Sequence, residues 1–549
     1  MELIKITIDG ETRLVAKGTR IRDMLDKGYL PYDRNPAIGA TVCGELVSLS
    51  AALTSDAEVS LIPLFSQFGK RIYRHSICFL FAYAVKSVCP DKHLEIGHSQ
   101  GDGYYYDTPF TQKELDGIRA FMKEAVKNNL PIYRVPLSYK NALKCFSDGT
   151  WKQTESLLES RNDNRIIAFR IGDYTDLSYE PLADYAGVLS LWRLDSYRNG
   201  ALLRYPQARD FSKLQNFADY PLLFDVFESG HAKEKLLGVE CVGDLNRKIA
   251  DGETDRIIEL EEALMNRNIS DIAKQIGEHK KVKIVTIAGP SSSGKTTFSL
   301  KLCTQLALLG FNCIKISLDD YYLTKDKVPM DKDGKPDFEA LEALDLDLIH
   351  TQLTELLAGK AVKLPIFSFK ENKRYWAESE TQLEENSLLI LEGIHGLNPK
   401  LLSSVPAENI FKIYISALTS VNIDDHNRIS TTDNRIIRRI VRDHRTRGTS
   451  ATDTLAMWPS VEAGEKLHIF PFQNQADAMY NSAHTYELAA LAPYAESLLR
   501  SVKPDSGAAY TTARRLLQFI ELFYAIPADS IPANSLVREF IGGSMYKAV

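Results

Sequence analysis

At 549 residues the chain is too long for one hydrophobic core, and three or four domains are expected. Its 44% hydrophobic and 25% charged residues are those of an ordinary globular protein. The formal charge of −6 offers no global attraction to nucleic acid or anionic membrane, although a local patch stays open. Seven cysteines, odd in number and without a C-x-x-C pair, argue against a disulfide or zinc framework and for a reducing compartment. The opening residues lack a basic and apolar leader, and the longest apolar stretch, 76–88, carries Lys86 and is too short to span a bilayer. The expected location is therefore cytoplasmic, with no membrane partner.

In chain order, 1–64 begins with alternating apolar residues on either side of Asp9-Gly10, a hairpin signal. A short helix over 21–25 and further strand-like runs suggest a β-grasp module. Residues 65–225 mix helices (77–88, 112–128) with strands near 166–171 and 189–194. Residues 226–280 read as a charged helical connector. From 281 to 500, strands at 284–288, 313–318, 387–391 and 410–415 alternate with helical segments, the pattern of a parallel sheet covered on both faces. Residues 501–549 begin loosely, hold a helix over 511–524 and turn at two prolines. The fold class is thus multidomain α/β, with a parallel-sheet domain preceded by a β-grasp and an α+β domain.

The strand Ile284, Val285, Ile287 runs into Gly289-Pro290-Ser291-Ser292-Ser293-Gly294-Lys295-Thr296-Thr297. This is the G-x-x-x-x-G-K-[ST] phosphate loop between a strand and a helix. Its glycines let several N–H groups converge on one anion, Lys295 supplies a cation near the β- and γ-phosphates, and the Thr296 hydroxyl can bind Mg²⁺. A nucleoside triphosphate, ATP, with Mg²⁺ is therefore expected. The second strand ends in Asp319-Asp320-Tyr321-Tyr322, at the strand edge where ligands sit in such sheets. Either aspartate could orient an acceptor hydroxyl and take its proton, or the pair could simply cap a loop. A third strand, Leu388–Leu391, ends in Glu392, an acid placed to hold Mg²⁺ directly or through water. Residues 435–447 contain six arginines in thirteen positions, with Arg435, Arg438, Arg439 and Arg442 on one helical face. That face reads as a lid over transferring phosphates, with a solvated basic surface or a nucleic-acid patch as the alternatives.

Phosphate loop, S-x-D-x-[FY]-Y, L-E-G-I and R-x-x-R-R-x-x-R-D, in this order over 281–500, resemble the uridine kinase and phosphoribulokinase family. The resemblance implies Asp319 as the base that activates a nucleoside 5′-hydroxyl, with Lys295, Arg438 and Arg442 serving the moving phosphoryl. It implies an acceptor site formed by Tyr322, Glu339, Phe367, Asn372, Arg374 and Arg435, and Mg²⁺ at Thr296 and Glu392. Glu339 stands where the family carries an Asp. Phe367 and Asn372 replace the family's Tyr and His in a motif that also includes Phe369 and Arg374. Such replacements can move acceptor preference by orders of magnitude.

Residues 1–64 resemble the TGS domain of threonyl-tRNA synthetases, and 70–190 resemble the editing domain that follows it. The match runs through Ile72–Ser76, Ile96-Gly97-His98 and Asp102–Asp107. The family's H-x-x-x-H and C-x-x-x-H positions are here His75, Phe79, Ser178 and Leu182. One histidine cannot activate water or hold a metal by itself, so His75 is expected to be a hydrogen-bonded structural residue. These resemblances imply an ATP- and Mg²⁺-dependent kinase for a nucleoside, uridine or cytidine first. A related kinase for another small hydroxyl compound is the runner-up. A nucleotide-gated protein binding RNA or the ribosome through its front half is a further alternative, and homo-oligomerisation stays open.

Overall fold

The computed structural model describes residues 2–8, 10–25, 36–147, 149–206, 213–330, 334–368 and 371–546. Asp9 of the expected hairpin turn and Phe369 of the acceptor motif lie outside the described residues.

The first sheet has the order Glu11–Ala16, Leu3–Ile8, Ala57–Pro63, Ala37–Val42, Glu45–Val47, with the short helix Ile21–Met24 beside it. Leu3–Ile8 pairs antiparallel with Glu11–Ala16 and parallel with Ala57–Pro63, a mixed pairing that the alternating Ile4, Ile6, Ile8 stripe buries on one face. The second region carries two antiparallel sheets. One joins Tyr133–Ser138, Arg165–Ile171 and Tyr174–Leu177; the other joins Ile96–Gln100, Gly103–Tyr106, Arg193–Tyr197 and Gly200–Arg204. Both pack on Gln67–Val88, a helix ten residues longer toward its N-terminus than the apolar run alone indicates. Ser66 caps it by accepting from the Gly69 N–H, which is why the helix starts among polar residues.

Three helices, Pro221–Leu237, Val242–Ala250 and Thr254–Glu278, lead to the parallel sheet. Its strand order is Asn312–Ser317, Ser387–Glu392, Ile284–Ala288, Ile410–Ser416, Ala478–Asn481, and every pairing is parallel. Ile284–Ala288 is buried along its whole length because cores lie on both faces, as a central parallel strand requires. The register sets Glu392 opposite both Ile287 and Ser317. One strand end thus brings the acid beside the phosphate loop and beside the Asp319 turn.

The closing segment is packed against the rest of the chain. Ala508–Ile520 packs on the helix Glu487–Arg500, and Leu536, Val537, Phe540 and Ile541 are buried in the core that holds the arginine helix. The helix expected over 511–524 is found at Ala508–Ile520, ending four residues earlier.

Candidate active site

The phosphate loop is shaped by what a side chain would hit. A Cβ on Gly289 would lie 2.1 Å from the Ile415 carbonyl oxygen, and Gly294 has φ +82°, the left-handed region that favours glycine. The helix Lys295–Leu308 starts directly after it, so its N-terminal amides and positive dipole end face the loop. Lys295 Nζ donates to the carbonyls of Gly289 (3.1 Å) and Pro290 (3.3 Å). Burial pushes its pKa down, while Glu392 and Asp319 oppose that shift.

The Thr296 hydroxyl donates to Glu392 Oε1 at 2.9 Å, and Lys315 Nζ lies 3.3 Å from Glu392 Oε2. Ser292 and Ser293 are buried, and their hydroxyls have no hydrogen-bond partner. A hydroxyl and a carboxylate already within contact distance, beside two orphaned hydroxyls and an amide-lined loop, fit a nucleotide phosphate with its Mg²⁺.

Asp319 and Asp320 separate cleanly. Asp320 Oδ1 accepts from the Phe367 backbone N–H at 3.0 Å, tying the hairpin Pro365–Ser368/Lys373–Trp376 to the Asp319 turn. Asp319 has solvent access within a cleft, yet the surrounding protein desolvates its carboxyl and raises its pKa. Lys295 opposes the shift; Glu392 and Asp320 add to it. Of the two, Asp319 faces the phosphate-loop lysine.

Around the same cleft, Tyr322 is buried with its hydroxyl donating to the Phe338 carbonyl at 2.9 Å, and its ring lies 6.3 Å from that of Phe367. Asn372 Oδ1 accepts from the Lys325 N–H at 3.1 Å. Arg374 donates to Asp345 at 2.7 Å and to the carbonyls of Tyr321 and Tyr322, so it braces the turn between them. Burial first, then Glu465, raises the Glu339 carboxyl to about 7, with Arg439 opposing.

The arginine helix, Thr431–Arg447, is a core element rather than a free-standing lid. Arg438 is fully buried; Nε and Nη2 meet Glu487 at 2.7 and 2.5 Å, and Nη1 reaches the Ser292 carbonyl at 3.2 Å. Arg435 pairs with Glu465 and donates to the Ser291 carbonyl at 2.8 Å. Both guanidiniums therefore brace the phosphate loop from behind. Arg439 reaches the Ser291 hydroxyl at 3.1 Å, while Arg442 pairs with Asp443 at 2.8 Å and keeps partial solvent access.

Sequence reasoning missed Glu539. Its carboxylate accepts from the Thr297 hydroxyl (2.6 Å) and backbone N–H (3.2 Å) at the start of the phosphate-loop helix. Beside it, Leu536 packs on Gly294, and the Phe540 ring lies 4.7 Å from the Arg438 guanidinium. The segment around it stands out in the sequence, but a lone Glu within it matches no motif that would assign it a role.

The Nε2 of His75, on Gln67–Val88, is buried without a hydrogen-bond partner. Among the described residues no cluster of three or more His, Cys, Asp or Glu could hold a metal, and no helix is long and apolar enough to cross a membrane.

A parallel sheet, a glycine-shaped phosphate loop, a Thr–acid pair and an aspartate facing the loop lysine define a P-loop kinase domain. Residues 284–489 match the model of the Phosphoribulokinase / Uridine kinase family, and the C-terminal region is a domain of that family. The N-terminal region matches threonine–tRNA ligases: that of Desulforamulus reducens is 35% identical over 201 residues, 35% of this chain and 31% of that protein. The chain thus spans about a third of the length of that relative. Among solved structures, a possible uridine kinase from Bacillus stearothermophilus is 17% identical with TM-score 0.27, covering 39% of this chain and 98% of that one. D-glycerate 3-kinase from Cryptococcus neoformans is 15% identical with TM-score 0.23, covering 47% and 87%.

Proposed function

We propose that this chain is an ATP- and Mg²⁺-dependent kinase that phosphorylates the 5′-hydroxyl of a nucleoside, uridine or cytidine first. The observation that carries the reading is the convergence of Thr296, Glu392 and Asp319 on one strand edge behind the phosphate loop. In this reading the loop amides and Lys295 hold the donor phosphates, Lys295 exchanging its contacts to Gly289 and Pro290 for phosphate oxygens. Thr296 and Glu392 hold Mg²⁺, which supplies charge neutralisation across the phosphates when bound. Asp319 orients the acceptor hydroxyl and takes its proton, a role that a raised pKa suits. Arg439 and Arg442 face the moving phosphoryl, while Arg435 and Arg438 position the loop through its carbonyls. Tyr322, Glu339 and Phe367 line the acceptor side, with Asn372 and Arg374 holding its frame.

A second reading, the same chemistry on another small hydroxyl compound, is favoured by the Asn372 carbonyl oxygen being spent on the Lys325 N–H and by the apolar Phe367. The similarity of the front half to threonine–tRNA ligases supports a third, in which RNA stimulates nucleotide turnover. The test is ATP consumption with Mg²⁺ across nucleosides, sugar phosphates and RNA. Uridine or cytidine stimulation with a monophosphate product supports the first reading; another small acceptor selects the second; RNA alone selects the third.

A further inference from the structure

A cavity of about 560 Å³ lies where the N-terminal α+β region, the approach to the arginine helix and the helix Ala508–Ile520 meet. That volume falls in the range of small-molecule sites. Four of its arginines fall into two pairs. Arg71 and Arg515 are matched: both contact Asp433, at 2.7 and 2.7 Å, and both contact Glu180, at 2.6 and 3.3 Å. Arg74 and Arg428 are not matched by any carboxylate among the described residues. Their guanidiniums lie 5.7 and 5.3 Å from the Tyr104 ring, and the Nε of each is buried without a hydrogen-bond partner. Arg428 is otherwise held by Ser99 Oγ (2.5 Å) and the Thr419 carbonyl (3.4 Å), which fix its position without neutralising it.

Neither guanidinium is ion-paired, Asp433 acting on Arg74 only at longer range, and two desolvated cations on one ring gain from a directly bound anion. Burial and the charge of Arg74 hold Arg428 below its ordinary pKa, and burial with Arg74, Arg71 and Arg515 keeps His75 neutral. His75 lines the same space with its unpartnered Nε2. Apolar walls from Ile166, Phe169 and Phe519 complete it, so the cavity suits an oxyanion carried on an apolar or aromatic body.

We propose that this junction cavity binds a small anionic molecule of nucleotide size, its phosphate or carboxylate oxygens held by Arg74 and Arg428 across Tyr104. The site is composite: Arg74 and Tyr104 come from the front half, and Arg428 from the loop that leads into the arginine helix. Neither half alone holds both cations.

Titration calorimetry on the full chain, with inorganic phosphate, uridine monophosphate and citrate as probes, tests this. At least one probe is expected to bind, and Arg74→Ala with Arg428→Ala together should weaken it about tenfold or more. Phosphate-bearing probes and citrate separate the two sources of the oxyanion, and binding of either class supports the site. Carbon-13 labelled histidine gives a second readout that needs no cavity variant except His75→Gln for assignment: the His75 resonance of the unmutated chain should shift with the bound probe. The proposal is overturned if no probe binds, if the double variant binds every probe as the parent does, or if the His75 resonance is unmoved at saturation. An RNA oligonucleotide binding where none of the three small anions does would overturn it as well.

Discussion

Glu539 places its carboxylate 2.6 Å from the Thr297 hydroxyl and 3.2 Å from the Thr297 N–H, capping the phosphate-loop helix from 242 residues away. An anion at a helix N-terminus is stabilising, and the same amides are the ones a nucleotide phosphate would use. The two anions compete. Glu539→Gln keeps the shape and removes the charge, so ATP is expected to bind about three- to tenfold more tightly by calorimetry. Unchanged affinity would make Glu539 a helix cap only, and weaker binding would make it part of the nucleotide site.

The two aspartates at the end of Asn312–Ser317 should fail differently. Asp319→Asn is expected to leave ATP affinity near the parent value while kcat falls about 10²- to 10⁴-fold, the range for a lost general base. It should also delete the acid limb of the pH–rate profile, which the raised pKa places above the ordinary aspartate range. Asp320→Asn loosens the Phe367 strand instead, so acceptor KM should rise with kcat largely kept. The reverse pattern would move the base by one residue.

Arginines of the same helix should also divide. Arg438→Ala leaves Glu487 buried without its guanidinium partner and with only the His484 N–H to accept from, which costs about 3–5 kcal/mol, and a clear loss of Tm is expected before any activity is read. Arg442→Ala removes a partly exposed side chain, so Tm should hold while kcat falls. Equal kcat losses at unchanged Tm in both variants would mean that Arg438 leaves Glu487 during turnover.

What was legible in the sequence is what is contiguous or set by the sheet. Gly289–Thr297 announces itself because a loop, its strand and its helix are consecutive. Glu392 is legible because an acid closing an apolar strand must emerge at the sheet's C-terminal edge, where Thr296 also lies. The arginine face read as a lid because its carboxylates are remote: Glu465 for Arg435 and Glu487 for Arg438 lie on other helices. That the Nε2 of His75 has no partner could not be read from the sequence, since hydrogen-bond satisfaction is a property of the packed structure. Glu539 and the unmatched Arg74–Arg428 pair have no local pattern at all; only tertiary packing brings them to a site.

Glu339 gives the last prediction through its proton. Its carboxyl is raised to about 7 in the folded chain against 4.5 in a free one, because burial and the charge of Glu465 disfavour the ionised form. A raised folded pKa means that the folded state holds the proton more tightly. The associated stability is fully present below pH 4.5 and is lost as pH rises through about 7. Discounted for the partial solvent access of the cleft, the loss is on the order of 1–2 kcal/mol at pH 8. Glu339→Gln carries no ionisable group, so it should gain Tm over the parent at pH 8 and lose that advantage at pH 5. The difference between the two chains, rather than either slope alone, isolates Glu339 from the other carboxylates that titrate over the same interval. A Tm difference that does not change between pH 5 and pH 8 would show that Glu339 is ionised in the folded chain throughout, its charge balanced by Arg439 on the facing helix.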